Sequence, residues 1–191
     1  IMSDLPFLPY GRQTIDDTDI AAVVEVLRSD FLTTGPMVPK FEAALAKRVG
    51  ARHAVVVANG TAALHAAALA ADIGPGDEVL VPSNTYIATW LAVSQTGAIP
   101  VPIEPDERTY NIDPQRIEAA ITSRTRAILP AHLYGQPADM TPILACAEKH
   151  GLKVLADGAQ AHGARYHGEA IGGLGDATAW SFYPAKNLGA F

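Results

Sequence analysis

The stretch EVLVPSNTYIATWLAVSQTGAIPVPI (Glu78–Ile103) opens and closes on apolar runs, and neither run alternates apolar with polar residues. Between EVLVP (78–82) and AIPVPI (98–103) lies TYIATWLAVSQ, which has the length and pattern of a helix. A strand with one wet face alternates. A run without alternation is buried on both faces, as strands of a parallel sheet are. The same rhythm extends in both directions through HAVVV (53–57), RAILP (126–130), LKVLA (152–156) and ATAWSF (177–182). Helical segments separate these runs: NGTAALHAAALAA, DPQRIEAAI with Asp113 as cap and Pro114 in its first turn, and ADMTPILACAEKH. The expectation is an α/β fold, a mostly parallel sheet sandwiched by helices. Ahead of it, Ile20, Val23, Val24 and Leu27 keep helical spacing, as do Val38, Phe41, Leu45 and Val49 before Gly50. Residues 1–50 therefore read as an N-terminal helical segment and 51–191 as one large domain.

Composition narrows the classes of function. The 191 residues are 49% hydrophobic and 18% charged, enough for a substantial core. A net charge of −6 leaves no basic footprint for nucleic acid. Cys146, the single cysteine, sits in a helical pattern and reads as a buried structural thiol. No apolar run approaches the roughly 20 residues that span a bilayer. The opening IMSDLPFLPYGRQ lacks the regions of a signal peptide, so a soluble cytoplasmic protein with no membrane partner is expected.

Parallel α/β sheets bind ligands beyond the carboxyl ends of their strands. HAVVV is followed by Ala58-Asn59-Gly60-Thr61, and EVLVP by Ser83-Asn84-Thr85-Tyr86. After RAILP come His132, Tyr134 and Gln136; after LKVLA, Asp157 and Gln160; after ATAW, Ser181 and Lys186. Each has a plain reading. Gly60-Thr61 is an ordinary helix start, or a place where the free amides of Gly60, Thr61 and Ala62 hold an anion with the Thr61 hydroxyl. Asp157 is a cap, or a carboxylate in need of a cation. Tyr86 is core or an exposed aromatic face. Gln160 satisfies a neighbouring backbone group or a ligand, and Lys186 is a solvated loop residue or a reactive amine.

Other motifs are missing or misplaced. GGLGD (172–176) precedes a strand where a dinucleotide fingerprint would follow one, and there is no P-loop, GxSxG elbow or metal-ligand pattern. An anion cradle, an aromatic face, a buried carboxylate and a lysine are together what pyridoxal 5'-phosphate (PLP) requires. Its phosphate suits a helix N-terminus, its ring suits stacking, its pyridinium nitrogen wants an anion, and its aldehyde condenses with an amine.

NGTAALHAAALA, GDEVLVPSNTYIAT, DGAQAHGARYHG and SFYPAKNLGAF, in that order, resemble the nucleotide-sugar aminotransferases of the DegT type among fold-type I PLP-dependent transferases. The resemblance implies that Lys186 is the Schiff-base lysine and that Asp157 pairs with the pyridine nitrogen. It implies that Gln160 meets the ring's 3-hydroxyl, that Gly60, Thr61 and Ser181 hold the phosphate, and that Tyr86 stacks on the ring. Lys186 would also be the base that takes the proton from the amino donor, glutamate. Where the family often carries Glu-Asp-Ala, the chain reads Ala156-Asp157-Gly158-Ala159-Gln160, keeping the aspartate and glutamine three apart. A dehydratase branch of the family has histidine in place of the lysine, and Lys186 counts against it. A catalytically silent regulatory relative is the alternative from another class.

The stretches VPSNTYIATWLAV, HLYGQPADM and SFYPAKNLGA resemble enzymes that aminate C3 of dTDP-linked 3-keto-6-deoxyhexoses. The opening PYGRQTIDDTDI resembles relatives that aminate C4 of UDP-linked sugars. The resemblance further implies a homodimer. Arg12 is a guess for the group that binds the donor carboxylate. Family members are roughly twice as long, so these 191 residues are expected to be a partial large domain, inactive alone, without the small C-terminal domain.

Overall fold

A computed structural model describes residues 13–190. The elements in chain order are α1 (Asp17–Leu27), α2 (Met37–Val49), α3 (Gly60–Ala70), β1 (Glu78–Pro82), α4 (Ile87–Ser94) and β2 (Ile99–Ile103). There follow α5 (Pro114–Ile117), β3 (Thr125–Ile128), α6 (Met140–His150), β4 (Lys153–Asp157), the short hairpin β5 (Arg165–Tyr166) and β6 (Glu169–Ala170), and β7 (Ala177–Ala179).

The main sheet has five strands in the order β2-β1-β3-β4-β7, and every pairing in it is parallel. Its central strands are dry on both faces, as their sequences require. Val79 and Val81 of β1 pack with Leu64 and Ala68 of α3 and Ala92 and Val93 of α4. Leu80, between them, points the other way and joins Ile117 of α5, Ile128, and Met140 and Ile143 of α6. One helix layer covers each face.

Helix boundaries follow local chemistry. Asp16 caps α1, its side chain accepting from the amides of Thr18 and Asp19 while the Asp19 side chain accepts from Asp16 N–H. Gly50 closes α2 and Gly151 closes α6, both in the left-handed region at φ 73° and 65°, where a β-carbon is costly. Apolar Ile20, Val23 and Leu27 on α1 remain 52%, 39% and 64% exposed.

Four sequence readings need correction. AIPVPI (98–103) does supply β2, but β2 is an edge strand and is not buried on both faces, with Ile99 45% exposed. Cys146 is half-buried rather than buried. HAVVV (53–57) does not form a strand, and Val55, Val56 and Val57 are 76%, 40% and 38% exposed. The run has a strand's composition but no ladder partner among the described residues. Its one outside bond here runs from Val56 N–H to Glu42 Oε1 at 2.9 Å. The last strand also stops at Ala179 rather than Phe182. Beyond it the chain turns, with Lys186 N–H bonded to Tyr183 O and Ala190 N–H to Phe182 O.

Candidate active site

β1 has β2 on one side and β3 on the other, so the chain reverses its direction of travel across the sheet between β1 and β3. Such a reversal opens a crevice at the strands' carboxyl ends. A pocket of about 430 Å³ lies there, lined by segments that follow β1, β3, β4 and β7 and by the start of α3. Gly60, Thr61, Tyr86, Asp157, Gln160, Ser181 and Lys186 all line it. Arg12 lies outside the described residues.

Asp157 ends β4 and is 8% exposed. Its backbone bridges to the neighbouring segment, N–H to Pro130 O at 2.8 Å and C=O from His132 N–H at 2.9 Å. Its carboxylate accepts from Thr89 Oγ1 at 2.8 Å on Oδ2 and from Ala159 N–H at 3.0 Å on Oδ1. No helix follows β4, so the Ala159 bond closes a local turn and the helix-cap reading falls. Both tethers are neutral, and among the described residues no cation pairs with this carboxylate. A buried anion with neutral donors only is an electrostatic deficit that a cationic ligand atom in the pocket would fill.

At the opposite wall, Asn59 caps α3. Its side-chain oxygen accepts from Ala62 N–H at 2.9 Å, which removes Ala62 from the expected anion cradle. The amides of Gly60 and Thr61 bond to no other described residue. A β-carbon built on Gly60 would stand 2.9 Å from Ser181 Cβ, closer than real β-carbons approach. Glycine here lets the helix start and the Ser181 hydroxyl converge on one spot. A phosphate fits that cradle.

Tyr86 precedes α4 and is 70% exposed, so it is a free aromatic face and not core. Gln160 does satisfy a backbone group: its Oε1 accepts from Tyr134 N–H at 2.7 Å, with Tyr134 at φ 59°. That bond leaves the amide's own two N–H donors without a partner among the described residues. Lys186 is half-buried and its amine makes no bond to another described residue. The next residue is fastened twice, by Asn187 Nδ2 to His162 O at 3.1 Å and by Asn187 Oδ1 with His162 Nδ1 at 2.7 Å. The His162 ring lies 5.3 Å from Trp180 and 5.0 Å from Phe182, centroid to centroid. Burial there lowers its pKa.

His132, 1% exposed, lines the pocket beside Asp157. Its Nδ1 accepts from Ala138 N–H at 3.0 Å, so the ring proton resides on Nε2, which has no described partner. Burial pushes this imidazole down to about 4, and it is neutral at neutral pH. Sequence reading flagged His132 by its place after a strand but assigned it nothing. It missed Thr89 altogether, since a threonine inside an apolar helix gives no signal of a partner 68 residues away.

The residues thus offer an anion cradle, an aromatic face, an uncompensated carboxylate and a free amine around one cavity, and PLP fits that set. Over 175 residues the chain is 54% identical to the dTDP-3-amino-3,4,6-trideoxy-alpha-D-glucose transaminase of Streptomyces venezuelae, a match covering 92% of this chain and 46% of that protein. It is 56% identical over 161 residues to the dTDP-3-amino-3,6-dideoxy-alpha-D-galactopyranose transaminase of Aneurinibacillus thermoaerophilus, covering 84% and 44%. Among solved structures, Spr1654 of Streptococcus pneumoniae in its PLP form matches with a TM-score of 0.91 at 31% identity, over 95% of this chain and 50% of that one. The chain therefore spans about half the length of the curated relatives it matches. Residues 13–191 match the family model of the DegT/DnrJ/EryC1/StrS aminotransferases, and with the site geometry this gives the conclusion that the chain belongs to that PLP-dependent family.

Proposed function

We propose that the protein is a PLP-dependent aminotransferase that moves an amino group from glutamate to a nucleotide-linked ketosugar, a dTDP-3-keto-6-deoxyhexose aminated at C3. The observation that carries this reading is the convergence of Lys186, Asp157 and the Gly60–Thr61–Ser181 cradle on one pocket. When bound, PLP supplies an electron sink for the charge left at the donor's Cα. Lys186 would anchor the cofactor through its aldehyde, and Lys186 Nζ would be the base for the donor Cα proton. Asp157 would hold a proton on the pyridine nitrogen, and the burial of its carboxylate would make that pairing strong. The Gly60 and Thr61 amides and the Ser181 hydroxyl would bind the phosphate, Tyr86 would cover the ring, and a Gln160 N–H would meet the ring's 3-oxygen.

The C3 choice is supported by the two sugar transaminases above, each named for a dTDP-3-amino sugar. A working homodimer in the cytoplasm belongs to the same reading, carried by the family. No helix of the described residues is long and apolar enough to cross a membrane. To test the function, the full-length protein is incubated with glutamate and each ketosugar, and the new amine is located by NMR. Nitrogen at C3 is expected; nitrogen at C4 alone overturns the regiochemistry, and no reaction with either sugar overturns the substrate class.

A further inference from the structure

Thr89 does not line the pocket, yet it controls a group that does. It is fully buried in the first turn of α4, 0% exposed, with its N–H on Tyr86 O at 3.0 Å. Its hydroxyl lies 2.8 Å from Asp157 Oδ2 and 2.9 Å from Thr85 Oγ1. An ionised carboxylate only accepts, so the Thr89 proton is committed to Asp157 and Thr85 must be the donor to Thr89. The direction of this relay is fixed by chemistry alone.

Asp157's other oxygen is held by Ala159 N–H, from the loop after β4. The carboxylate is therefore tethered from two separate elements and cannot rotate without breaking a bond. A threonine inside a helix can return its hydroxyl to a carbonyl one turn back. Thr89 instead spends it on a side chain across the core. Valine would fill the same volume beside Ala92 and Val93 with no polar group to desolvate, so the hydroxyl is an expense unless it is used.

We propose that Thr89, backed by Thr85, is a positioning residue that sets the plane of the Asp157 carboxylate against the cofactor's pyridine nitrogen. The same relay ties the Asp157 carboxylate to the segment that precedes Tyr86. The proposal rests on the PLP reading above.

The test uses apo full-length protein and two probes, PLP and its 1-deaza analogue, in which carbon replaces the ring nitrogen. Dissociation constants are measured by fluorescence titration for the wild type, Thr89→Val and Thr89→Ser, with thermal midpoints checking the fold. Wild type should prefer PLP over the analogue. Thr89→Val should lower that preference about tenfold, with analogue affinity unchanged, and Thr89→Ser should restore it. Should valine unfold the protein, Thr89→Ala against Thr89→Ser gives the same comparison. A preference that is unchanged or larger in the variant, or equal loss for both probes, makes Thr89 merely structural and overturns the proposal. A wild type that does not distinguish the probes overturns the Asp157 reading itself, and the proposal with it.

Discussion

The two walls of the pocket are built on different terms. Asp157 belongs to the sheet: it is 8% exposed, its backbone is paired on both sides, and each carboxylate oxygen has its own donor. Lys186 belongs to a segment without regular structure, fastened by turn bonds and by the His162–Asn187 pair. The difference suits the two tasks. A charge that polarises a ligand acts best when it is fixed and dry before the ligand arrives. An amine that must attach, leave and carry a proton needs room to move. A fixed carboxylate on one wall and an amine without a described partner on the other is what the proposed chemistry asks of this fold.

Perturbing the walls separately should expose that contrast. The largest effect is expected at the lysine wall, where Lys186→Ala in the full-length enzyme should cut transamination by about 10³-fold or more. Its side chain bonds nothing described, so the thermal midpoint should stay put. A variant that keeps substantial turnover with glutamate and ketosugar breaks the assignment.

The rigid wall predicts a pH dependence instead. His132 is folded neutral, its pKa lowered from 6.5 to about 4 by burial. Below pH 6.5 the unfolded chain binds a proton that the folded chain refuses, so its stabilising contribution is present above that pH and is lost as pH falls toward 4. The loss amounts to about 3 kcal/mol. His162, lowered by burial in its aromatic slot, adds in the same direction. Denaturant midpoints measured across this range should fall with acid in the wild type and fall less in His132→Gln; equal slopes would remove His132 from the account of acid lability.

The next effect is smaller and sharper. In Asp157→Asn the new amide can still accept from Ala159 N–H and meet the Thr89 hydroxyl, so the wall should stand while the charge disappears. Loss of a charge-assisted bond of roughly 1.5–3 kcal/mol predicts about a 10- to 150-fold weaker hold on PLP. Near-wild-type affinity and kinetics would mean the carboxylate serves only the turn.

How legible these walls were in the sequence follows from the range of the interactions. The sheet could be read because EVLVP, RAILP and LKVLA carry their burial in composition, and the pocket because strand ends in a parallel sheet converge by topology. HAVVV has equally strong composition and still failed, because a strand needs a neighbour and composition does not supply one. The Gly60 cradle was half right: glycine signalled close approach, but Asn59 competed for the Ala62 amide through a cap whose geometry sequence does not set. Thr89 was invisible because its meaning lies in a contact with Asp157, far along the chain.

The most direct test of the reading is chemical trapping at the lysine wall. Full-length protein loaded with PLP is reduced with borohydride, digested and mapped by mass spectrometry. The predicted result is a phosphopyridoxyl label on the peptide carrying Lys186 and on no other lysine. A label fixed elsewhere, or none at Lys186 although the cofactor is bound, would contradict it.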